Sequence, residues 1–274
     1  MALRWILFAS FAHADFSAQI DRVTATSFPV AASETVSISF VKLGSDPWQL
    51  GMLQKIRVNA PLERLTAALD DVPGYVGIFD DLEKAEKRSV NSPNDYVVFT
   101  ETSIPLPFVP NDKTAMRYRV THFPSAVGYR FSLTEGNHLR AYDGFALASA
   151  DGLRSSVYWE LDLLEPSFGI SRGLPVKKFW GQNALGSAQS DWALKLKAEA
   201  FGDSKAILKE SKKRASLLED SLDAAYDAAV PFDALLAQAI PASPSASASA
   251  KKPTAPPHST AKPKANGPKS EPKP

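Results

Sequence analysis

Hydrophobic and polar residues alternate through most of the stretch from residue 35 to 163, and this period of two predicts strands. In Thr35–Leu43, Val36, Ile38 and Phe40 share one side; Gly44-Ser45-Asp46-Pro47 turns the chain, and Leu50–Val58 is the next strand. Pro61 then opens a short helix marked by Leu62, Leu65 and Leu69, and Pro73-Gly74 breaks it before Tyr75–Phe79. Asp95–Ile104 is rich in β-branched and aromatic residues. In Ala115–His122, Met116, Tyr118 and Val120 oppose Arg117 and Arg119. In Val127–Leu133, Val127, Tyr129, Phe131 and Leu133 oppose Arg130 and Ser132. In Ser155–Leu163, Val157, Trp159, Leu161 and Leu163 oppose Tyr158, Glu160 and Asp162. Arg140–Ala148 is a strand whose two faces do not separate. The alternation predicts an antiparallel sheet with one covered face and one wet face.

The period changes at Pro175. Pro175–Phe201 predicts a long helix, with Val176, Phe179, Trp180, Ala184, Leu194 and Ala198 on one face. Asn183, Ser187 and Asp191 fall inside that same arc. Buried polar groups need partners, so these three either satisfy one another, pair with a sheet arginine or hold a ligand headgroup. Leu185, Trp192 and Leu196 form a second apolar stripe that needs its own cover. Lys205–Ala229 supplies that cover, with Ile207, Ala215, Leu218, Leu222 and Tyr226 at helical spacing.

Composition bounds the function classes. The chain has 274 residues, and Lys+Arg 31 against Asp+Glu 30 leaves a net charge of +1. That balance gives no footprint for a nucleic acid. The absence of cysteine removes disulfides, thiolate metal sites and a cysteine nucleophile. With only His13, His122, His138 and His258, a multi-histidine metal site is not expected, and no cofactor is.

The ends differ from the middle. Residues 1–14 read as a short signal peptide, with Arg4 before an apolar run and Ala12-His13-Ala14 as a small-x-small cleavage site. The expected location is therefore periplasmic or secreted. Residues 15–33 form an N-terminal extension. From 241 to 274 the chain holds nine prolines and six lysines, with almost no large apolar side chain. This composition predicts a disordered tail, either a weak tether to anionic polymer or lipid or a plain solubilising spacer.

The order of parts resembles the START-like superfamily, which includes polyketide cyclases and coenzyme-Q-binding proteins. Val58-Asn59-Ala60-Pro61, followed by Leu65 and Asp70-Asp71-Val72, resembles that family's strand-to-helix opening. Ile104–Asp112 resembles the proline-rich turn before its central strand, and Gly173-Leu174-Pro175 the lead-in to its closing helix. The match covers residues 34–201; Phe79 stands where a tryptophan is often found, and residues 202–240 are a helical extension outside the pattern. The resemblance implies an α+β helix-grip: a curved antiparallel sheet wrapped around a long C-terminal helix, enclosing a cavity for a lipid-like molecule.

On that basis the expected ligand-binding residues are Met116, Tyr118, Val120, Tyr129, Phe131, Leu133, Val157, Trp159, Leu161, Trp180, Asn183, Ser187 and Asp191. Many of these serve equally as ordinary core. The apolar loop residues Ile104, Leu106, Phe108 and Val109 are expected to form a gate or a membrane-touching lip, or to fold over the sheet rim. The first functional expectation is a non-catalytic, monomeric binding or transport protein for a hydrophobic or amphipathic small molecule, with transient membrane contact. The alternatives are a cyclase-type enzyme using His122 or Tyr118 as acid/base, and a protein-interaction module built on the C-terminal helices and basic tail.

Overall fold

The computed structural model describes residues 16–33, 35–104, 110–167 and 174–241. Segments 1–14 and 242–274, the expected signal peptide and nearly all of the expected tail, lie outside them, as do Leu106, Phe108 and Val109.

The chain opens with helix α1 (Ser17–Val23) and the two-residue strand β1 (Thr26–Ser27). Strands β2 (Ser37–Lys42) and β3 (Leu50–Val58) follow, and then helix α2 (Leu62–Asp70). Pro61 sits at the N-cap of α2, and a 3-10 turn at Pro73–Tyr75 ends the segment. The main run is β4 (Leu82–Ser92), β5 (Asp95–Thr102), β6 (Asp112–Phe123), β7 (Ala126–Gly136), β8 (Leu139–Ala150) and β9 (Ser156–Pro166). The long helix α3 (Val176–Ala198) comes next, then α4 (Ser204–Ser216) and α5 (Glu219–Asp227). Strand β10 (Val230–Pro231), helix α6 (Phe232–Leu236) and strand β11 (Ile240–Pro241) end the described chain.

The strands form a nine-stranded sheet in the order β10-β2-β3-β9-β8-β7-β6-β5-β4. Every pairing is antiparallel except the short β10–β2 contact. The strands after α2 run as a meander that brings β9 back beside β3, and α3 lies across the concave face. This is the α+β helix-grip that the order of parts implies. Among the described residues no helix is long and apolar enough to cross a membrane.

The register assigns each strand's two faces. On the inner face one row runs through Phe40, Met52, Asp162, Gly144, Phe131, Tyr118 and Tyr96, each opposite the next. The neighbouring row runs through Ile38, Gln54, Glu160, Ala146, Tyr129 and Val120. Gly144 is required in its row, because a Cβ there would overlap the Phe131 ring.

The outer face of the central strands is not wet. Val41, Leu53, Phe145, Leu147, Trp159, Leu161 and Leu163 form a dry cluster with Phe16, Ile20, Val23 and Phe28 from the N-terminal segment and Phe232 and Leu235 from α6. Phe28 and Phe145 both set their rings against Trp159, at 4.9 and 5.5 Å. The expected one-covered, one-wet sheet is thus corrected in its central strands: α1 and α6 cover the second face. The pairing of Thr26–Ser27 with Ile240–Pro241 joins the two ends of the described chain over this layer.

Helix α3 meets three surroundings at once. Trp180 and Ala184 pack against Phe40, Leu50, Met52 and Leu164 of the sheet. Ala188 and Trp192 join Ile56, Val58 and Tyr158, together with Leu65 and Ala68 of α2. Ala193 and Leu196 turn to Ile207 of α4. The second stripe is therefore covered from behind as its spacing requires, and the Arg214 guanidinium lies 4.7 Å from the Trp192 ring.

Candidate functional site

The remaining face of α3 looks into a cavity of about 730 Å³ between helix and sheet. This size lies within the range of small-molecule binding sites, roughly 300–1,000 Å³. From the helix, Phe179, Asn183, Ser187, Asp191 and Leu194 recur at helical spacing along the cavity.

One wall is aromatic. Tyr96 on β5 stacks on Tyr118 of β6 at 5.5 Å, Tyr118 leans on Phe131 of β7 at 5.3 Å, and Phe131 meets Tyr142 of β8 edge-on at 5.8 Å. All four rings line the cavity. Such rings offer large, stiff apolar area with little loss of rotamer freedom on binding.

The ladder leads to a polar floor on β3 and β9. Tyr142 Oη donates to Asp162 Oδ1 at 2.9 Å, and Gln54 Nε2 reaches Asp162 Oδ2 at 3.4 Å. Tyr158 Oη donates to Glu160. Glu160 and Asp162 lie two residues apart on one face of the same strand, and their carboxyls are electrostatically coupled. Asp191 faces them from α3.

Burial raises all three carboxyl pKa values above the ordinary carboxylate range. For Asp162 and Asp191 the negative charge of Glu160 adds to the rise, while hydrogen bonds from Tyr158 and Asp162 oppose it at Glu160. Tyr118, Tyr142 and Tyr158 are pushed up as well, by burial first and by these acids second. The cluster therefore gives up its protons at higher pH than an exposed set of carboxyls would. Nearer the β7–β8 turn, Asp112 and His138 also line the cavity, and burial raises the Asp112 carboxyl.

The expected site residues divide cleanly. Met116, Tyr118, Tyr129, Phe131, Asn183, Ser187, Asp191 and Ile104 line the cavity. Val120 and Leu133 are not among its lining residues and pack in the core beside it. Trp180 is fully buried against the sheet in a separate cluster. Val157, Trp159 and Leu161 are corrected: they lie on the outer face of β9, and Trp159 and Leu161 sit under α1 and α6. The physical reason is that both faces of β9 are covered, so the more apolar face went to the dry contact and the polar face to the hollow. Asn183 does not wait for a partner, because its Nδ2 donates to the Phe179 carbonyl at 2.8 Å. His122 is exposed beside Asn94 and does not reach the cavity. Sequence reasoning passed over Gln54, Tyr142, Tyr158 and Glu160; the signal was present in the pair of acids at alternate positions of an otherwise apolar strand.

No family model matches the chain, and no curated protein does. Among solved structures, the chain is similar to human STARD10, at 14% identity and a TM-score of 0.49 over 84% of this chain and 93% of that one. It is similar to a STAR-related lipid transfer protein from Xanthomonas axonopodis, at 12% and 0.46 over 69% and 99%. It is also similar to the Zhui aromatase/cyclase from Streptomyces sp. R1128, at 16% and 0.38 over 66% and 93%. At these values the likeness concerns the fold alone.

Proposed function

We propose that this chain is a non-catalytic binding protein that holds one hydrophobic or amphipathic small molecule between sheet and α3, and that it acts outside the cytoplasm. The observation that carries the proposal is the cavity itself: about 730 Å³, walled by Tyr96, Tyr118, Phe131 and Tyr142, with polar groups gathered at one floor. Apolar burial supplies affinity there, and a few polar groups fix orientation. The extracytoplasmic part rests on residues 1–14 alone.

Native mass spectrometry of the full chain, followed by organic extraction, tests the proposal. We expect one non-covalently held small molecule per chain, recovered chemically unchanged after incubation. A chain that carries no added mass and takes up nothing from phospholipid vesicles would contradict it.

A cyclase-type enzyme is the second reading. It is favoured by the buried carboxyls beside the cavity, whose pKa values burial raises toward the range in which an acid serves as a proton donor. Asp191, Glu160 and Tyr118 would then take the acid/base roles. Under that reading the extracted molecule is converted with time at the protein, seen as a new chromatographic peak of equal mass for ring closure alone and of lower mass where water is then lost.

A further inference from the structure

The polar floor restricts the chemistry of the ligand's polar end. Asp191 is only 2% exposed, lines the cavity, and its Oδ2 has no hydrogen-bond partner. Gln54, also 2% exposed and lining the cavity, gives its Nε2 to Asp162 and leaves Oε1 without a donor. The buried Tyr129 hydroxyl lacks a partner as well. Glu160 lies directly opposite Gln54 in the β3–β9 register. A buried acceptor without a donor is costly, so Asp191 Oδ2 and Gln54 Oε1 call for a donor from whatever fills the hollow, while the Tyr129 hydroxyl can donate or accept.

No lysine or arginine occurs among the described residues that line the cavity. The histidine in the lining, His138, stands beside Asp112, so a carboxylate or phosphate headgroup at the floor would add negative charge next to Glu160 and Asp191 with no lysine or arginine to offset it. A ketone or ester would accept from a protonated Asp191 but leave Gln54 Oε1 unmet. A hydroxyl offers one proton; an ammonium offers three and carries the complementary charge. Among the described residues no acidic group converges as a metal-ligand set, so a larger organic cation fits better than a bare ion.

We infer that the ligand is an amphiphile with a protonated amine, whose ammonium group sits against Asp191, Glu160 and Gln54 while its apolar body lies along Tyr96, Tyr118 and Phe131. This inference rests on the carrier reading and names the class of molecule carried. Binding of the ammonium favours the ionised form of the acids it touches, and a proton given up on binding leaves to solvent.

The test is a matched series on the full chain at neutral pH: dodecylamine, dodecanol and dodecanoate, each displacing the uncharged fluorescent probe N-phenyl-1-naphthylamine. Dodecylamine is expected to displace the probe at a concentration at least about tenfold lower than dodecanol, with dodecanoate weakest. In Asp191→Asn the ratio of amine to alcohol displacement should collapse toward one, because the amide keeps the shape and loses the charge. The wild-type series stands by itself if the variant fails to fold. Equal displacement by amine and alcohol, or a preference for dodecanoate, overturns the amine assignment and leaves the cavity reading intact. An amine preference that survives in folded Asp191→Asn overturns the seat. Failure of the probe and all three amphiphiles to bind removes the carrier reading, and this inference with it.

Discussion

The two faces of one sheet do opposite work. On the outer face of β9, Trp159, Leu161 and Leu163 are completely buried in a dry cluster under α1 and α6. On the inner face of the same strand, Tyr158 and Glu160 line the cavity, and Asp162 lies beside them bonded to Tyr142 and Gln54. The alternation is regular, yet the apolar side faces outward and the polar side faces in. Close packing serves stability, whereas a hollow with a polar floor serves a ligand. In a container fold, therefore, the residues that look wet in a strand pattern are the ones to suspect of lining the container.

Substitutions on the two faces should separate stability from binding. The largest stability effect is expected at Trp159, where Trp159→Ala should cost about 3–5 kcal/mol in urea unfolding, since the site is fully enclosed. Tyr118 already borders open space, so Tyr118→Ala should cost less, roughly 1–3 kcal/mol, while weakening probe binding by tenfold or more. Equal stability losses at the two sites would erase the contrast between a dry face and a hollow one.

The acid cluster adds a pH dependence confined to the inner face. A carboxyl whose folded pKa is raised binds its proton more tightly when folded. Its contribution to stability is fully present below the unfolded pKa, about 4, and is lost as pH rises toward the folded value. Asp162 is raised in this way, first by burial and then by Glu160. Asp162→Asn cannot ionise, so its stability relative to wild type should improve as pH rises above about 4, levelling off once pH passes the folded pKa of Asp162. Paired urea titrations across that range check the sign; a difference that stays flat or falls would mean that Asp162 carries no raised pKa. The smallest effect is expected at the surface tie over the outer layer, where Arg22 pairs with Asp233 at 2.7 Å and both side chains are exposed. Arg22→Ala should cost less than about 1 kcal/mol, including its contact with the Phe232 ring.

Much of the architecture was legible from period alone. The change from alternation to helical spacing at Pro175 marks α3, and the stripe of Leu185, Trp192 and Leu196 correctly demanded the cover that α4 provides. β4 was missed because it is the edge strand of the sheet and reads as mostly charged and polar, Leu82 to Ser92, with only Ala85 buried. The outer layer was missed because α1 is seven residues long and brings only Ile20 and Val23 from its own span; its partners lie far away in sequence. The error at Trp159 follows from that omission. Once the second face has a cover, hydrophobicity no longer tells the two faces apart, and the register with Gln54 and Ala146 decides instead.

The central claim is that the space beneath α3 receives a ligand, and Gly186 tests it most directly. Gly186 lines the cavity at its exposed rim, lies within the helix, and a Cβ built there meets nothing within 4 Å. Gly186→Phe should therefore set a ring in the mouth of the cavity and obstruct entry, and replacing a mid-helix glycine should hold stability or raise it by up to about 0.5 kcal/mol. Native mass spectra of wild type and Gly186→Phe after incubation with amphiphile-loaded vesicles decide the matter. The account predicts one bound molecule per wild-type chain and none on a folded variant. Equal uptake by both chains would contradict it.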